Sequence, residues 1–295
     1  MAISDNLRGT LYMNLSMFAF TANDTIVKVV TSTVPLYETI ALRGAVAVLG
    51  LLIMAAMTRS FTLAIQPRDR WLIGLRSLAD VAATIFFLSA LMRMPIANLS
   101  AVMQATPLAV TLGAALYFKD KVGWRRMAAI FIGFMGVMLI IRPGSDGFDF
   151  WAIMGLCAVA AVVVRDLAVR PLGNAVPSMM VALGAGVAVM LMGAIGAAFQ
   201  GWNAISLREA ALIGSAGIML IIGYICAVTA MRVGDVGVVA PFRYTSLLWA
   251  IVLGWVAFGT LPDHYAVIGS GIVVATGLYT LLRERKLSRA KAAAA

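Results

Sequence analysis

Few side chains in this sequence have the type and spacing for chemistry, and their setting favours binding and ion handling over bond-making. Asp80, Arg76 and Arg243 stand inside long apolar runs. An ionisable group at the centre of a bilayer costs at least ~2.5–3.5 kcal/mol, so each of these needs a reason. Asp80 lies nine residues past Trp71, about 13 Å along a helix. It suits a proton- or cation-responsive binding group, with Thr84 one turn further on. It equally suits an internal pair with Arg76, four residues earlier on the same helix face. Arg243 has no acid one turn away in its own segment. Its guanidinium suits a forked bond to a substrate carboxylate, or a pair with Asp80 or a backbone carbonyl. Gln104, Ser100, Tyr244 and Trp249 are further candidates for a binding wall, and helix–helix contact is the alternative for each. His264 is the only histidine. That excludes a metal site built from histidines and disfavours a Ser-His dyad in the bilayer. No phosphate-binding glycine loop is found, so neither a cofactor nor catalysis is expected.

Such residues need elements to hold them, and composition says what kind. Of 295 residues, 62% are hydrophobic and 12% charged. A soluble domain carries about 25% charged residues. The figures exclude a soluble enzyme, a disordered regulator and a secreted disulfide scaffold. Cys157 and Cys226 lie in apolar runs, where a structural disulfide is not expected. Apolar segments of about 20 residues, enough to span a bilayer, recur from end to end. Ten spans are expected at 8–28, 36–57, 71–91, 95–117, 124–141, 149–169, 178–199, 209–231, 235–258 and 264–282. The first is no signal peptide, because it lacks a basic start and holds Asn14, Asn23, Asp24 and Lys28. The terminal KAAAA is expected to be disordered.

Charge then sets the topology. With the N-terminus inside, 16 of the 23 Lys and Arg fall in inner segments and four in outer ones, while Arg43, Arg76 and Arg243 lie within spans. This asymmetry predicts both termini in the cytoplasm. The net charge of +10 therefore reads as orientation, and no nucleic-acid partner is expected. Arg43 lies within snorkelling reach of the outer interface, where anchoring is its expected role.

The spans fall into halves. At an offset of 142, Asp24 meets Asp166, Lys28 meets Arg170, Val34-Pro35 meets Val176-Pro177 and Gly44 meets Gly186. At 139, Gln104 meets Arg243 and Thr106 meets Thr245; at 141, Gly136 meets Gly277. Five spans per half put the second copy in the membrane upside down, the signature of secondary transporters with a midplane site. The expected division is 1–145, 146–286 and a basic tail at 287–295. Asp24/Lys28 and Asp166/Arg170 are each an acid followed four residues later by a base. They read either as twin gates, one per face, or as helix-end pairs. Pro107 and Pro241 sit inside spans four and nine and permit a kink or unwinding there. The glycine groups around Gly133, Gly184 and Gly269 read as close packing.

These residues carry a resemblance. "PLYETIALRGAVAVLGLL", with Lys28 before it, is similar to the lysine, proline and arginine run of the drug/metabolite transporter superfamily, EamA branch. "MRMPIANLSAVMQATPLAVTLGAALYFKDKVGWRRMAAIFIGFMGVMLI" resembles that family's fourth span, connection and fifth span. Asp120 stands where the family usually has glutamate, and Thr260 stands there in the second half. The resemblance implies an all-α membrane protein of ten transmembrane helices in two inverted EamA-like repeats. It further implies a cavity lined by spans one, three, four, six, eight and nine, with spans five and ten as packing helices. Within the family the chain is most similar to YddG-type exporters of aromatic and other amino acids. The expectation is a secondary transporter of the bacterial inner membrane, working as a monomer amid lipid. It would export amino acids or related small metabolites by alternating access. A broader drug or nucleotide-like solute exporter is the alternative; a membrane-embedded enzyme or a channel lacks the acid clusters each would need.

Overall fold

In the computed structural model, residues 5–58, 66–119, 123–142, 150–171 and 178–294 are described, and their regular structure is entirely helical. The first half holds α1 (Asp5–Val30), α2 (Leu36–Met57), α3 (Pro67–Arg93), α4 (Ile96–Met103), α5 (Thr106–Tyr117) and α6 (Trp124–Ile141). The second holds α7 (Phe150–Val169), α8 (Ser178–Gln200), α9 (Leu207–Val233), α10 (Val236–Val239), a 3-10 segment (Ala240–Tyr244), α11 (Thr245–Phe258) and α12 (His264–Ala294). Among the described residues, nine helical stretches are long and apolar enough to cross a membrane, counting α4–α5 as one. The tenth span, α1, is less apolar because Asp5, Arg8, Asp24 and Lys28 interrupt it. The chain is thus an all-α membrane protein, with nine qualifying spans and the long helix α1 among the described residues.

Local chemistry explains the boundaries. Pro35 and Pro95 take extended backbone (ψ 146° and 135°) directly before α2 and α4, where a missing N–H costs nothing. Gly259 stops α11 at φ 64°, a left-handed conformation that glycine adopts without a Cβ penalty. Arg142 ends α6 at φ 49°. It is held there by an ion pair to Asp263 and by stacking 4.2 Å from the centre of the Tyr265 ring. The last helix runs to Ala294, well past the expected end at 282. This corrects the expectation of disorder for residues 291–294, Ala295 lying outside the described residues: Ala, Lys, Arg and Glu dominate this stretch and are among the stronger helix formers.

Two compact units are present. The first comprises Met1–Thr21, Met94–Leu156 and Gly223–Ala295; the second comprises Ala22–Arg93 and Cys157–Ile222. In the first, α6 lies along α12 and α4 packs on α11; in the second, α2 lies along α8. Each pair joins helices of equal rank in the two halves of the sequence. Compactness and sequence repeat are therefore two different divisions of this chain. The glycines set the approach. A methyl group on Gly136 would come 2.9 Å from the Gly269 carbonyl oxygen, and one on Gly193 would come 2.6 Å from the Ala41 nitrogen. Neither pair of helices has room for a side chain at these crossings.

Candidate functional site

In the first unit, spans four and nine are both interrupted. Span four breaks at Gln104–Ala105, and Pro107 falls in the first turn of α5, where its missing N–H leaves no gap. Span nine tightens into the 3-10 segment, with Pro241 in its first turn. The expected loosening at both prolines is therefore seen in this structure. Gln104 and Arg243 sit at these breaks. The Gln104 amide nitrogen donates to Ser246 Oγ at 2.6 Å and toward the Arg243 carbonyl at 3.4 Å. The carboxamide is mostly buried, and these bonds tie span four to span nine.

Arg243 itself is exposed, and its guanidinium has no ion pair or hydrogen bond among the described residues. A charge in a spanning segment almost always faces a protein interior or a water-filled path. Trp249, two turns along, donates its indole N–H to Asn14 at 2.9 Å and meets the Phe18 ring edge-on at 5.0 Å. Arg243, Ser246 and Trp249 recur every three residues and so share one face. Tyr244 is turned away from them. Its ring is buried, and a methyl at Gly277 would fall on its hydroxyl, which has no partner. Ser100 is half-buried on α4, one turn before Gln104, whose backbone N–H it accepts.

The second unit holds the remaining candidates in two clusters. Asp80 is bound by Arg76 at 3.6 Å and by Arg165 of α7 at 3.2 Å. The same Arg165 reaches Asp166 at 2.9 Å. The i,i+4 pair with Arg76 is therefore formed. Thr84 spends its hydroxyl on the Asp80 carbonyl at 2.8 Å. In the other cluster, Asn23 donates to Asp24 at 2.9 Å and accepts from Arg43 at 3.1 Å. Arg43 also acts electrostatically on Asp24. Arg43 is only 8% exposed, which corrects the expected snorkelling anchor: the Asn23–Asp24 pair gives its guanidinium an internal partner. Lys28 donates to the Leu91 carbonyl at 2.6 Å, and Arg170 closes the helical turn that follows α7.

Sequence reasoning missed three partners. Arg165, Asn14 and Glu38 carry no helical spacing to the groups they meet. Glu38, in the first turn of α2, is 1% exposed. One carboxylate oxygen accepts from the Asn203 backbone and side chain, both at 3.4 Å, and the other has no partner. Asp120 and Val176-Pro177 lie outside the described residues.

Residues 7–142 match the EamA-like transporter family. This chain carries an EamA-like transporter domain. It is a multi-pass membrane protein, and the match covers α1 to α6. Along nearly its whole length the chain is similar to the pseudopaline exporter of Pseudomonas aeruginosa. Identity is 23% over 94% of this chain and 97% of that one. A riboflavin transporter of Vibrio cholerae is 28% identical over 64% of this chain and 63% of its own length. An S-adenosylmethionine uptake transporter of Rickettsia prowazekii is 24% identical over 67% of each. A solved crystal structure, 21% identical, superposes with a TM-score of 0.63 over 95% of this chain and 98% of that one. That likeness bears on the fold, including the second half that the EamA-like match does not reach.

Proposed function

We propose that the protein is a secondary transporter that exports amino acids, aromatic ones among them, or related small carboxylates. Arg243 carries the proposal: an exposed guanidinium without a partner, presented at a broken turn of a spanning segment. A guanidinium there is a forked donor for a carboxylate. Gln104 and Ser246 hold the broken turn, and the Trp249 ring, fixed by Asn14, adds an aromatic wall on the same face. Similar proteins named as an exporter and as uptake transporters support small-metabolite transport. The outward direction rests on the resemblance to amino-acid exporters.

Two inverted repeats, 1–145 and 146–286, are the proposed frame. The pairing of equal-rank helices α2 with α8 and α6 with α12 supports it, and alternating access follows from such a frame. Asp24 with Lys28, and Asp166 with Arg170, are proposed as gate elements. Asp80 belongs functionally with the second pair, through Arg165. The expected setting is a bacterial inner membrane with both termini inside, and the active form a monomer. A nucleotide-like solute is the weaker reading, since a phosphate group calls for several bases and Arg243 is the lone base on its face.

The test is counterflow in proteoliposomes loaded with a panel of labelled amino acids, run in both directions. Arg243→Ala should abolish carboxylate-dependent counterflow, and Arg243→Lys should retain part of it. Full transport by a folded Arg243→Ala protein would remove the site assignment.

A further inference from the structure

The polar face of span nine has an opposite face, and that face is hollow. A cavity of about 480 Å³ lies in the first unit between the 3-10 segment and α11 on one side and α12 on the other. From span nine it is lined by Pro241, Phe242, Tyr244, Thr245, Leu247, Leu248 and Ile251, with Ala97 of α4 beside them, while Arg243, Ser246 and Trp249 do not line it. From α12 it is lined by Val267, Ser270, Gly271, Val274 and Leu278, one helix face.

The wall is almost wholly apolar; the buried Tyr244 hydroxyl is its one polar atom without a partner among the described residues. The Thr245 hydroxyl donates to the Phe242 carbonyl at 2.7 Å and the Ser270 hydroxyl to the Ala266 carbonyl at 2.5 Å. The Tyr244 hydroxyl is packed against Gly277. The remaining lining is aliphatic or aromatic. Phe242 is 39% exposed and Leu248 is 62% exposed, so the cavity opens at its side. Both walls belong to spanning segments, where the surrounding solvent is hydrocarbon. Length supplies the next constraint. From Val267 to Leu278 the chain rises about 17 Å along α12, close to the ~15 Å of one leaflet of the hydrocarbon core. Pro262 lies at the end next to the interface, where Asp263 pairs with Arg142.

We propose that this groove is a lipid site that seats one acyl chain of a bilayer phospholipid between broken span nine and α12. A chain seated there supports the interrupted turn from behind, on the side away from Arg243. A helix whose backbone ladder is loosened by Pro241 needs such packing to hold its shape. The inference does not rest on the substrate assignment.

The probe is phosphatidylglycerol with a diazirine on one acyl chain, in vesicles of phosphatidylethanolamine and phosphatidylglycerol containing the full-length protein. After photolysis, adducts should concentrate several-fold at 241–251 and 267–278 over the lipid-facing pair Phe131 and Ile132 of α6. Gly271 makes the groove testable, because a Cβ there meets no atom within 4 Å. Gly271→Phe should fill the groove and remove its adducts while leaving those at Phe131 and Ile132. Gly271→Ser should keep them. Should the phenyl ring not be accommodated, Gly271→Asp makes the same point by placing a charge against the chain. Equal labelling of both faces would overturn the proposal, as would groove labelling unchanged by Gly271→Phe or Gly271→Asp. Disulfide-linked dimers of Gly271→Cys in place of groove adducts would overturn it too, by showing a second copy as the occupant.

Discussion

Asp80 offers the sharpest test of how charge is handled inside this bundle. It lies between two guanidinium groups, Arg76 at 3.6 Å and Arg165 at 3.2 Å, with the three side chains 16–31% exposed. Charges about 4 Å apart attract by about 4 kcal/mol at an effective dielectric constant of ~20. Desolvation offsets most of that gain, so the net worth of each contact is small even though breaking one is costly. Asp80→Asn should therefore destabilise the protein by about 2–3 kcal/mol, because it leaves two cations facing a neutral amide. Arg165→Gln alone should cost less, since Arg76 still answers Asp80. The double variant should recover part of the loss, with a coupling of about 1–2 kcal/mol between positions 80 and 165. Reversible unfolding in mixed micelles, followed by the fluorescence of the six tryptophans, would measure the cycle. Additivity within ~0.5 kcal/mol would refute the contact as an energetic link between α3 and α7.

Two further substitutions follow from packing and burial. Gly269→Val should destabilise the α6–α12 pair by about 1–3 kcal/mol, because a Cβ there would stand 2.6 Å from the Gly136 carbonyl oxygen. Gly271→Ala, two residues on, should leave the melting temperature in detergent unchanged or raised, since alanine is the better helix former. Asn203→Ala should cost about 1 kcal/mol by removing the side-chain donor to the buried Glu38 carboxylate and leaving only the backbone N–H, whereas Glu38→Met removes the buried charge altogether and should be tolerated better. A lower melting temperature for Glu38→Met than for Asn203→Ala would contradict this account.

What the sequence discloses about this molecule is set by which contacts lie within one helix. The spans were legible because the bilayer demands about 20 apolar residues each, and α2 and α6 match their expected bounds of 36–57 and 124–141. The Arg76–Asp80 pair was legible because four residues bring side chains onto one face. The meeting of Gln104 with span nine was legible only through the internal offset, which set Gln104 against Arg243. Arg165 with Asp80, and Trp249 with Asn14, stand 85 and 235 residues apart. No periodicity connects them. In a bilayer the lipid-facing and protein-facing sides of a helix are about equally apolar, so hydropathy does not say which neighbour a face will meet. The burial of Arg43 was hidden for the same reason: its depth was readable, but its partner Asn23 on α1 was not.

The two ends of the repeat show where equivalence stops. Asp24 and Asp166 correspond at an offset of 142, as do Lys28 and Arg170. Their surroundings do not correspond. Asp24 follows Asn23, an amide that both donates to it and accepts from Arg43 of α2. Asp166 follows Arg165, a cation that binds it and reaches on to Asp80 of α3. Two differences at matched positions, Asn23 against Arg165 and Arg43 against Ala185, change which helix answers the acid. In the α1 cluster the base comes from the neighbouring helix. In the α7 cluster the base is in the helix itself, and the neighbour supplies a second acid. The two halves of the sequence therefore keep their pairing of equal-rank helices while their charge wiring differs. Under the proposed alternating access this matters, because two identical latches would favour neither state, whereas two different ones set a resting preference.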